Sequence, residues 1–479
     1  MAPMPAFDSL RRARLLSLPA GTVLLAIRAR LARLTGEDPD ALRTALRQRN
    51  AERTRRVLGD LKGGALKAGQ LLSTVDALMP QDPEATWSEA LTDLREVGSP
   101  WPLEDLIPVL RAEIGHDWEA RLPGLEREAA AAASIGQVHR ARWRDGREVA
   151  VKIQYPGVAR ALREDVQAVA AMSRLASLVA PSLALPPLVA ELRERLSEEL
   201  DYAREARVQQ RFAEAYADDP HVVVPRVVHA TPRVLVTEWL DGTPIAHLGG
   251  TADQADRDAA GRAYQRFLVS GPERAGWLHT DPHPGNFRIL DRGVLGVMDF
   301  GSALALPEGM PETFGRLLAA LSVDDRARVL PRLREIGYVR PDADLDVDKL
   351  LAYMRPFTEP ARHEAFTFTP PWLRQQFGKV NDPRNPEFSV ALQLRVPPEH
   401  LFTHRVWLGL VGVLCQLEAT VPVRPVLRRW LPGFADAHAP LDPQGVLADA
   451  SSRDASGLDA PDRDGHGTPP PAQEPSDAP

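Results

Sequence analysis

HTDPHPGNF, residues 279–287, is the stretch of this sequence that says most about its fold. Its two prolines, Pro282 and Pro284, exclude both a helix interior and a central strand. The stretch is therefore predicted to be a rigid loop that holds Asp281 and Asn286 five residues apart. This spacing raises the question of which chemistry needs a carboxylate and an amide on such a loop.

The next motif, MDFG at residues 298–301, follows across a short predicted hairpin. The hairpin would return Asp299 to the same end of the sheet as Asn286, and both residues offer the hard oxygen ligands that Mg²⁺ takes beside phosphate and water. Asp281 stands where a carboxylate accepts a hydroxyl proton or orients an attacking water. With His279, the string reads H-x-D-x-x-x-x-N followed by D-F-G, which is the lower half of a kinase active site.

An upper half of such a site needs a lysine on a strand and an acid on a helix to hold it. EVAVKIQ supplies Lys152 on an apolar strand, where an unpaired ammonium would be costly. SEELDYAREA is predicted to be a helix on which Asp201 and Glu205 share a face, with Glu199 a little under two turns from Glu205. A solvated acidic face is the simpler interpretation of an isolated helix of this kind. The presence of Lys152 and of the lower half of the site instead favours Glu205 as the ion-pair partner of Lys152.

The loop before the lysine strand lacks the expected glycines and reads AAAAASIGQVH, residues 129–139. Alanine does not take a positive φ cheaply and keeps the backbone further from a phosphate, so the nucleotide must be covered differently or bound in another pose. The strand VLVTEWL would bring its last backbone groups to the adenine edge. The predicted nucleotide-binding residues are Ala131, Ala132, Ala133, Ser134, Lys152, Glu238 and Leu240.

The remaining sequence suggests five regions. Residues 1–60 form a basic helical region with 12 arginines against 6 acids, and residues 61–125 form a helical extension. Residues 126–240 carry strands with inserted helices, and residues 241–440 continue through the loop and hairpin into a mostly helical segment. Residues 441–479 are rich in proline, aspartate, serine and glycine and are predicted to be disordered.

The composition bears on the partners of the protein and on its place in the cell. A net charge of −7 argues against nucleic-acid binding, and a single cysteine in 479 residues fits a reducing cytoplasm. The apolar stretches SLPAGTVLLAI and VWLGLVGVLCQL are too short to span a bilayer, so no transmembrane helix is expected. A solvated helix face explains the basic N-terminus most simply, and peripheral contact with anionic lipid is the alternative.

Taken together, the motifs resemble the UbiB/AarF (ABC1-type) family of atypical kinases. The matching strings occur in family order over roughly residues 55–310, and they are LKAGQLLS, AAASIGQVHRA, VAVKIQYPGV, EELDYAREA, HTDPHPGNF and DFG. The resemblance implies an α+β, protein-kinase-like fold of two lobes. One lobe is a small antiparallel sheet, the other is larger and helical, and a helical extension precedes them.

Functional residues are implied by the same resemblance. Lys67, Gly69 and Gln70 match a K-x-G-Q motif on the extension, which folds over the nucleotide pocket, and Glu199 and Asp201 match an E-x-D motif that meets it. The catalytic residues so implied are Lys67, Gln70, Lys152, Glu199, Asp201, Glu205 and Asp281, and the metal ligands are Asn286 and Asp299. The alanine-rich loop replaces the glycines.

The function that the resemblance implies is that of an ATP-binding atypical kinase or ATPase, dependent on Mg²⁺. Its expected partners are ATP and an isoprenoid lipid or quinone precursor. Phosphorylation of proteins in trans is not expected, because the extension occupies the space of a peptide substrate. Two alternatives stay open: a small-molecule kinase similar to aminoglycoside and choline phosphotransferases, and a nucleotide-switched lipid-binding or chaperone protein that transfers no phosphate.

Overall fold

The computed structural model describes residues 100–435 with several gaps. The gaps are residues 134, 165–166, 168–169, 171–192, 194–196, 382–384, 386, 392 and 398–399. Three predicted features therefore lie outside the described residues: the basic N-terminal region, the K-x-G-Q segment and the polar tail. The boundaries of the five predicted regions stay predictions.

The first lobe is a five-stranded antiparallel sheet in the order β1-β2-β3-β6-β5. Its strands are β1 (Ala131–Ala132), β2 (Gly136–Arg142), β3 (Glu148–Gln154), β5 (Val227–Ala230) and β6 (Val234–Glu238). β2 and β3 are joined through the predicted Asp-Gly turn, in which Gly146 takes a φ of +89°. That turn sets the register that places Val138 opposite Lys152.

The alternation of EVAVKIQ in β3 separates two environments. Val149, Val151 and Ile153 are fully buried against helix α1 (Leu103–Glu113), which covers one face of the sheet together with the short helix α2 (Trp118–Arg121). Because side chains alternate along a strand, Lys152 and its neighbour Ala150 project from the other face. The apolar residues of the strand thus hold the lysine in place.

Helix α3 (Tyr202–Ala215) packs beside this sheet and carries Glu205. The predicted continuous helix over SEELDYAREA is wrong at one point, because the helix stops before Asp201 and starts again at Tyr202. Asp201 is the N-cap, and its carboxylate accepts a hydrogen bond from the backbone nitrogen of Ala203 at 3.0 Å. Capping residues leave helical φ and ψ, so Asp201 and Glu205 do not share a helix face as predicted.

The second lobe is built around the long helix α4 (Gln254–Ala275). Its short strands are β4 (Val222–Val223), β7 (Thr243–Pro244), β8 (Trp277–His279), β9 (Phe287–Ile289), β10 (Leu295–Val297) and β11 (Ala303–Ala305). They form a sheet in the order β4-β10-β9-β7 and a β8–β11 pair. The stretch 279–287 connects β8 to β9 as a loop, and β9 and β10 form the predicted hairpin.

The segment after residue 303 completes the second lobe. Its helices are α5 (Glu312–Ser322), α6 (Arg326–Glu335), α7 (Val347–Thr358), α8 (Pro370–Asn381), α9 (Phe388–Ala391), α10 (Leu401–Leu417) and α11 (Arg424–Trp430). It also contains β12 (Ala365–Thr367) and β13 (Thr420–Pro422), which pair with each other and which the sequence did not predict. Across the described part of the chain, no helix is both long and apolar enough to cross a membrane.

Helix α10 is the element of this segment that reaches the loop. It packs against α4, and its buried residues Val406, Leu410 and Leu414 join the main core with Phe267 and Phe287. This packing brings one end of α10 next to the stretch 279–287.

Candidate active site

A cavity of about 580 Å³ contains most of the residues that the sequence singled out. The predicted residues lining it are Ala131, Ala132, Ala133, Lys152, Glu199, Glu205, Glu238, Leu240, Asp281, Asn286 and Asp299. They come from both lobes, with the alanines and Lys152 on the small sheet and Asp281 and Asn286 on the loop. A volume of this size accommodates a drug-sized ligand such as a nucleotide.

Lys152 lies at the centre of the first ion cluster, which we call the lysine cluster. Its Nζ donates to Glu205 Oε1 at 2.7 Å and to Asp299 Oδ2 at 3.1 Å. Burial alone would lower the pKa of Lys152, but the carboxylates of Asp299 and Glu205 outweigh it and hold the pKa well above its usual value. The side chain is therefore a cation, and the cluster formed by Lys152, Glu205 and Asp299 has a net charge of −1.

A second cluster, which we call the aspartate cluster, surrounds the loop carboxylate. Asp281 Oδ1 accepts from Arg405 Nη2 at 2.7 Å, and Asp281 Oδ2 accepts from Asn286 Nδ2 at 2.9 Å. Arg405 belongs to helix α10 and lies 124 positions after Asp281 in the chain. This cluster, formed by Asp281, Asn286 and Arg405, has a net charge of zero.

His279 connects the loop to the D-F-G stretch. Its ring is fully buried and Nε2 lies 2.7 Å from the backbone oxygen of Asp299, so Nε2 carries the proton and donates it. Burial lowers the pKa of His279, because the charged imidazolium would lie among apolar rings such as Phe300. The neutral imidazole fixes the backbone of Asp299 relative to Asp281.

The cavity is also lined by the residues at the end of β6. The backbone nitrogen of Trp239 donates to Glu148 O at 3.1 Å, which ties this end to β3. Glu238 Oε2 accepts from the backbone nitrogen of Arg226 at 3.0 Å, so its side chain is turned to the sheet. Glu238 and Leu240 line the cavity here, and their backbone contact with adenine stays a prediction.

Some of the predicted site residues are not brought into the cavity. Asp201 is not among its lining residues; besides capping α3, it lies 3.8 Å from Arg207. Lys67, Gln70 and Ser134 are outside the described residues. Their roles therefore stay predictions, as does the meeting of Glu199 with the K-x-G-Q segment.

Two residues that the sequence reasoning missed contribute to the site. Tyr202 places its ring 5.1 Å from Lys152 Nζ, an arrangement that favours a cation. The position of Tyr202 directly after the acidic run was a usable signal, since a helix start there would point its ring to the lysine strand. For Arg405 the sequence offers no such signal, because nothing in the local pattern of the largely apolar helix α10 shows which loop an arginine near its start will meet.

Fold and site together define a class. An antiparallel sheet carries a buried lysine paired to a helix glutamate, a helical lobe carries a loop aspartate with an asparagine five residues on, and a D-F-G aspartate meets the lysine. These are the parts of a protein-kinase-like phosphotransferase.

Comparison with known proteins gives the family. The ABC1 atypical kinase-like domain profile matches residues 94–332. The chain is 30% identical to the mitochondrial atypical kinase COQ8B of Rattus norvegicus, over 80% of this chain and 72% of that protein. It is 28% identical to the mitochondrial atypical kinase COQ8 of Saccharomyces cerevisiae, over 81% of this chain and 77% of that protein.

A solved structure agrees with this assignment. The Rv3197–erythromycin complex from Mycobacterium tuberculosis is 35% identical, covers 83% of this chain and 100% of the solved chain, and superposes with a TM-score of 0.63. The chain belongs to the ABC1 atypical kinase-like family. The predicted kinase-like fold, family and phosphotransferase class are confirmed, and membership of the family implies ATP binding.

Proposed function

We propose that this protein is a Mg²⁺-dependent, ATP-binding atypical kinase whose basal reaction is ATP hydrolysis. The observation that carries the proposal is the convergence of two ion clusters on one cavity. Lys152 contacts Asp299, Asp281 contacts Asn286, and all four residues line the same cavity. These four side chains are the set that phosphoryl transfer uses to bind phosphates, hold a cation and orient an acceptor.

The donors at this cavity fit a magnesium ion. Asp299 offers a carboxylate, and Asn286 gives its amide nitrogen to Asp281, so its amide oxygen is the atom that can face a cation. Across the residues that the structure describes, no three His, Cys, Asp or Glu side chains are grouped to hold a metal. A site of few protein oxygens is what Mg²⁺ uses when phosphate and water complete its shell. The ion would supply positive charge beside the phosphates of ATP.

The protein's own groups have separable tasks in this proposal. Lys152, kept cationic by its two carboxylates, binds phosphate oxygens. Asp281, held by Arg405 and Asn286, orients the acceptor and takes its proton. The alanine-rich strand end at Ala131 and Ala132 lines the cavity where a glycine-rich loop would lie.

The biological context belongs to the same proposal. The resemblance to UbiB and the names of the COQ8 relatives support a role in quinone or isoprenoid-lipid metabolism. We propose a cytoplasmic protein that touches a membrane peripherally through the basic N-terminal region, and an isoprenoid lipid or quinone precursor as the partner. As the resemblance implies, Lys67 and Gln70 of the helical extension would lie over the nucleotide, and Glu199 and Asp201 of the E-x-D motif would meet that extension.

The test is nucleotide binding and turnover by the purified full-length chain. Mg²⁺ with ATP should raise the melting temperature, and ATP alone should raise it less. At a Mg-ATP concentration of 100 times the Kd, the free energy of unfolding should increase by about 2.7 kcal/mol. Phosphate release should require Lys152 and Asp281. A chain that neither binds nor hydrolyses Mg-ATP refutes the proposal, and a chain that binds it without hydrolysis points to the nucleotide-switched alternative.

A second candidate is suggested by one observation. The relative with 35% identity and a TM-score of 0.63 was solved in complex with erythromycin. Binding of a macrolide by this chain would be measured by calorimetry with erythromycin, with and without Mg-ATP. Binding that turns erythromycin into a phosphorylated product would favour the small-molecule kinase reading, and no binding removes this candidate.

A further inference from the structure

Helix α10 contributes a cation to the loop carboxylate on which the proposed function depends. Arg405 Nη2 lies 2.7 Å from Asp281 Oδ1, and Asn286 Nδ2 lies 2.9 Å from Asp281 Oδ2. Both carboxylate oxygens therefore have a donor before any acceptor arrives. The carboxylate cannot rotate without breaking at least one of these bonds, so its orientation is set jointly by Asn286 of the loop and Arg405 of helix α10.

The arginine comes from a helix that is fixed against the same loop. Gly409, one turn after Arg405, lies so close to Pro282 that an added Cβ would be 2.2 Å from Pro282 Cγ. On the preceding residue, His404 Nε2 lies 2.7 Å from the hydroxyl of Tyr338. The Arg405 backbone is thus held between two close contacts, which makes its side chain a rigid support.

Burial distinguishes this ion pair from the surface pairs of the protein. The side chains of Arg405 and Asp281 are 20% and 21% exposed. Arg429 and Glu273 form a pair of similar length, 2.9 Å, but they are 56% and 47% exposed. A pair shielded from water leaves a poorly solvated charge when one partner is removed, whereas an exposed pair contributes little. Arg405 should therefore matter to Asp281 far more than a surface arginine matters to its partner.

We propose that Arg405 is a positioning residue for the phosphoryl-transfer reaction. It acts through Asp281 and holds that carboxylate in one orientation, so that Asp281 directs the acceptor oxygen at the phosphate. A loose phosphoryl-transfer transition state needs an aligned acceptor and little covalent help. The inference rests on the proposed function, because it names a further residue of the same site.

The experiment measures two quantities for Arg405→Met in the full-length chain, the kcat of ATP hydrolysis and the Kd of Mg-ATP. Misplacement of a reacting group by about 1 Å costs about 100-fold in rate. We expect kcat to fall by about that factor while Kd stays within a factor of two, because Arg405 does not line the cavity. Arg405→Lys retains a donor and should recover a large part of the loss.

Controls separate positioning from folding. Arg429→Met removes a surface pair of similar length and should leave both quantities unchanged. In an Asp281→Asn background, assayed with excess enzyme over long incubations, Arg405→Met should add less than a threefold loss, since effects that act through one group are not additive. A full additional loss would show that Arg405 acts independently of Asp281.

The outcomes also distinguish this inference from the proposed function. No ATP hydrolysis by the wild-type chain refutes the proposed function itself. A hydrolysing wild type with an equally active Arg405→Met variant refutes only the role of Arg405. A raised kcat in Arg405→Met would mean that the arginine restrains Asp281. A parallel loss of Mg-ATP affinity and of kcat would mean that the arginine merely supports the fold. Either result overturns the inference.

Discussion

The lysine cluster and the aspartate cluster lie on the same cavity and differ in charge balance. In the lysine cluster, two carboxylates share one ammonium, so Lys152, Glu205 and Asp299 together have a net charge of −1. In the aspartate cluster, one guanidinium faces one carboxylate and the amide of Asn286 is neutral. One cluster is therefore short of positive charge, and the other is already neutral.

This difference indicates which of the two clusters would hold the cation that the proposed function requires. A buried excess of negative charge is costly unless a cation compensates it, and Asp299 is the more exposed of the two carboxylates, 36% against 3% for Glu205. A divalent cation arriving with a nucleotide would meet Asp299 first. The aspartate cluster has no such deficit, so its task is to hold a fixed orientation.

The largest expected effect comes from removing the ammonium of the lysine cluster. Lys152→Met keeps most of the length of the side chain but leaves two carboxylates facing each other and no cation for the phosphates. Loss of one such electrostatic contact costs about 100- to 1000-fold in kcat, and the melting temperature should also fall. Phosphate release and thermal unfolding measure both, with the exposed Lys349→Met as control. Wild-type turnover by Lys152→Met would mean that the cluster plays no part in the reaction.

The next effect addresses the support of the aspartate cluster. Gly409→Ala would place a methyl group against the ring of Pro282, which cannot turn away, and overpacking of this kind costs about 1–3 kcal/mol. We expect lower stability and a lower kcat, because the loop must shift relative to Arg405. Urea unfolding and ATP hydrolysis measure the two effects.

The same helix offers a matched control for that prediction. Gly412 has no described atom within 4 Å of an added methyl group, so Gly412→Ala should be neutral or stabilise by up to about 1 kcal/mol. Equal behaviour of the two alanine variants would contradict the docking of α10 on the loop.

The two clusters also differ in how far the sequence predicted them. Lys152, Asp281, Asn286 and Asp299 lie in short motifs whose spacing on a strand, a loop and a hairpin limits where they can point, so their convergence could be predicted. Arg405 lies 124 positions after Asp281, near the start of a largely apolar helix, and only tertiary packing brings it to Asp281.

Local misreadings have equally specific causes. The helical spacing of the acidic residues predicted a continuous helix through Asp201. The structure has a break there, which fits the preference for aspartate at the N-cap. The strands Ala303–Ala305, Ala365–Thr367 and Thr420–Pro422 have three residues each, too few for an alternating pattern to appear. Long-range contacts and very short strands are therefore the features that could not be predicted from the sequence.

A smaller effect concerns the anchor of α10 at His404. Burial and the nearby His400 lower the pKa of His404 to about 4 from 6.5. Below pH 6.5 the unfolded chain binds a proton that the folded protein refuses until about pH 4, so stability falls as the pH drops through this window. His404 as a whole is only partly buried, so we expect a loss of about 2 kcal/mol. Urea unfolding at pH 7 and pH 4.5 measures this loss. The free energy of unfolding should fall less for His404→Gln than for the wild type between these two pH values. An equal fall in both proteins would contradict the assignment of the effect to His404.

The smallest expected effect on stability sharpens the comparison most. Asp299→Asn keeps the Lys152–Glu205 pair at 2.7 Å and removes the excess carboxylate, which gives the lysine cluster the neutral balance of the aspartate cluster. The nucleotide-free variant should therefore differ from the wild type by less than about 1 kcal/mol, because relief of repulsion between Asp299 and Glu205 offsets the lost attraction to Lys152. The stabilisation by Mg-ATP, about 2.7 kcal/mol at 100 times the Kd in the wild type, should instead be lost. Thermal unfolding with and without Mg-ATP measures both quantities. A large loss of stability in the nucleotide-free variant would show that Asp299 is needed to hold Lys152, and the negative excess would then serve the fold and not an incoming cation.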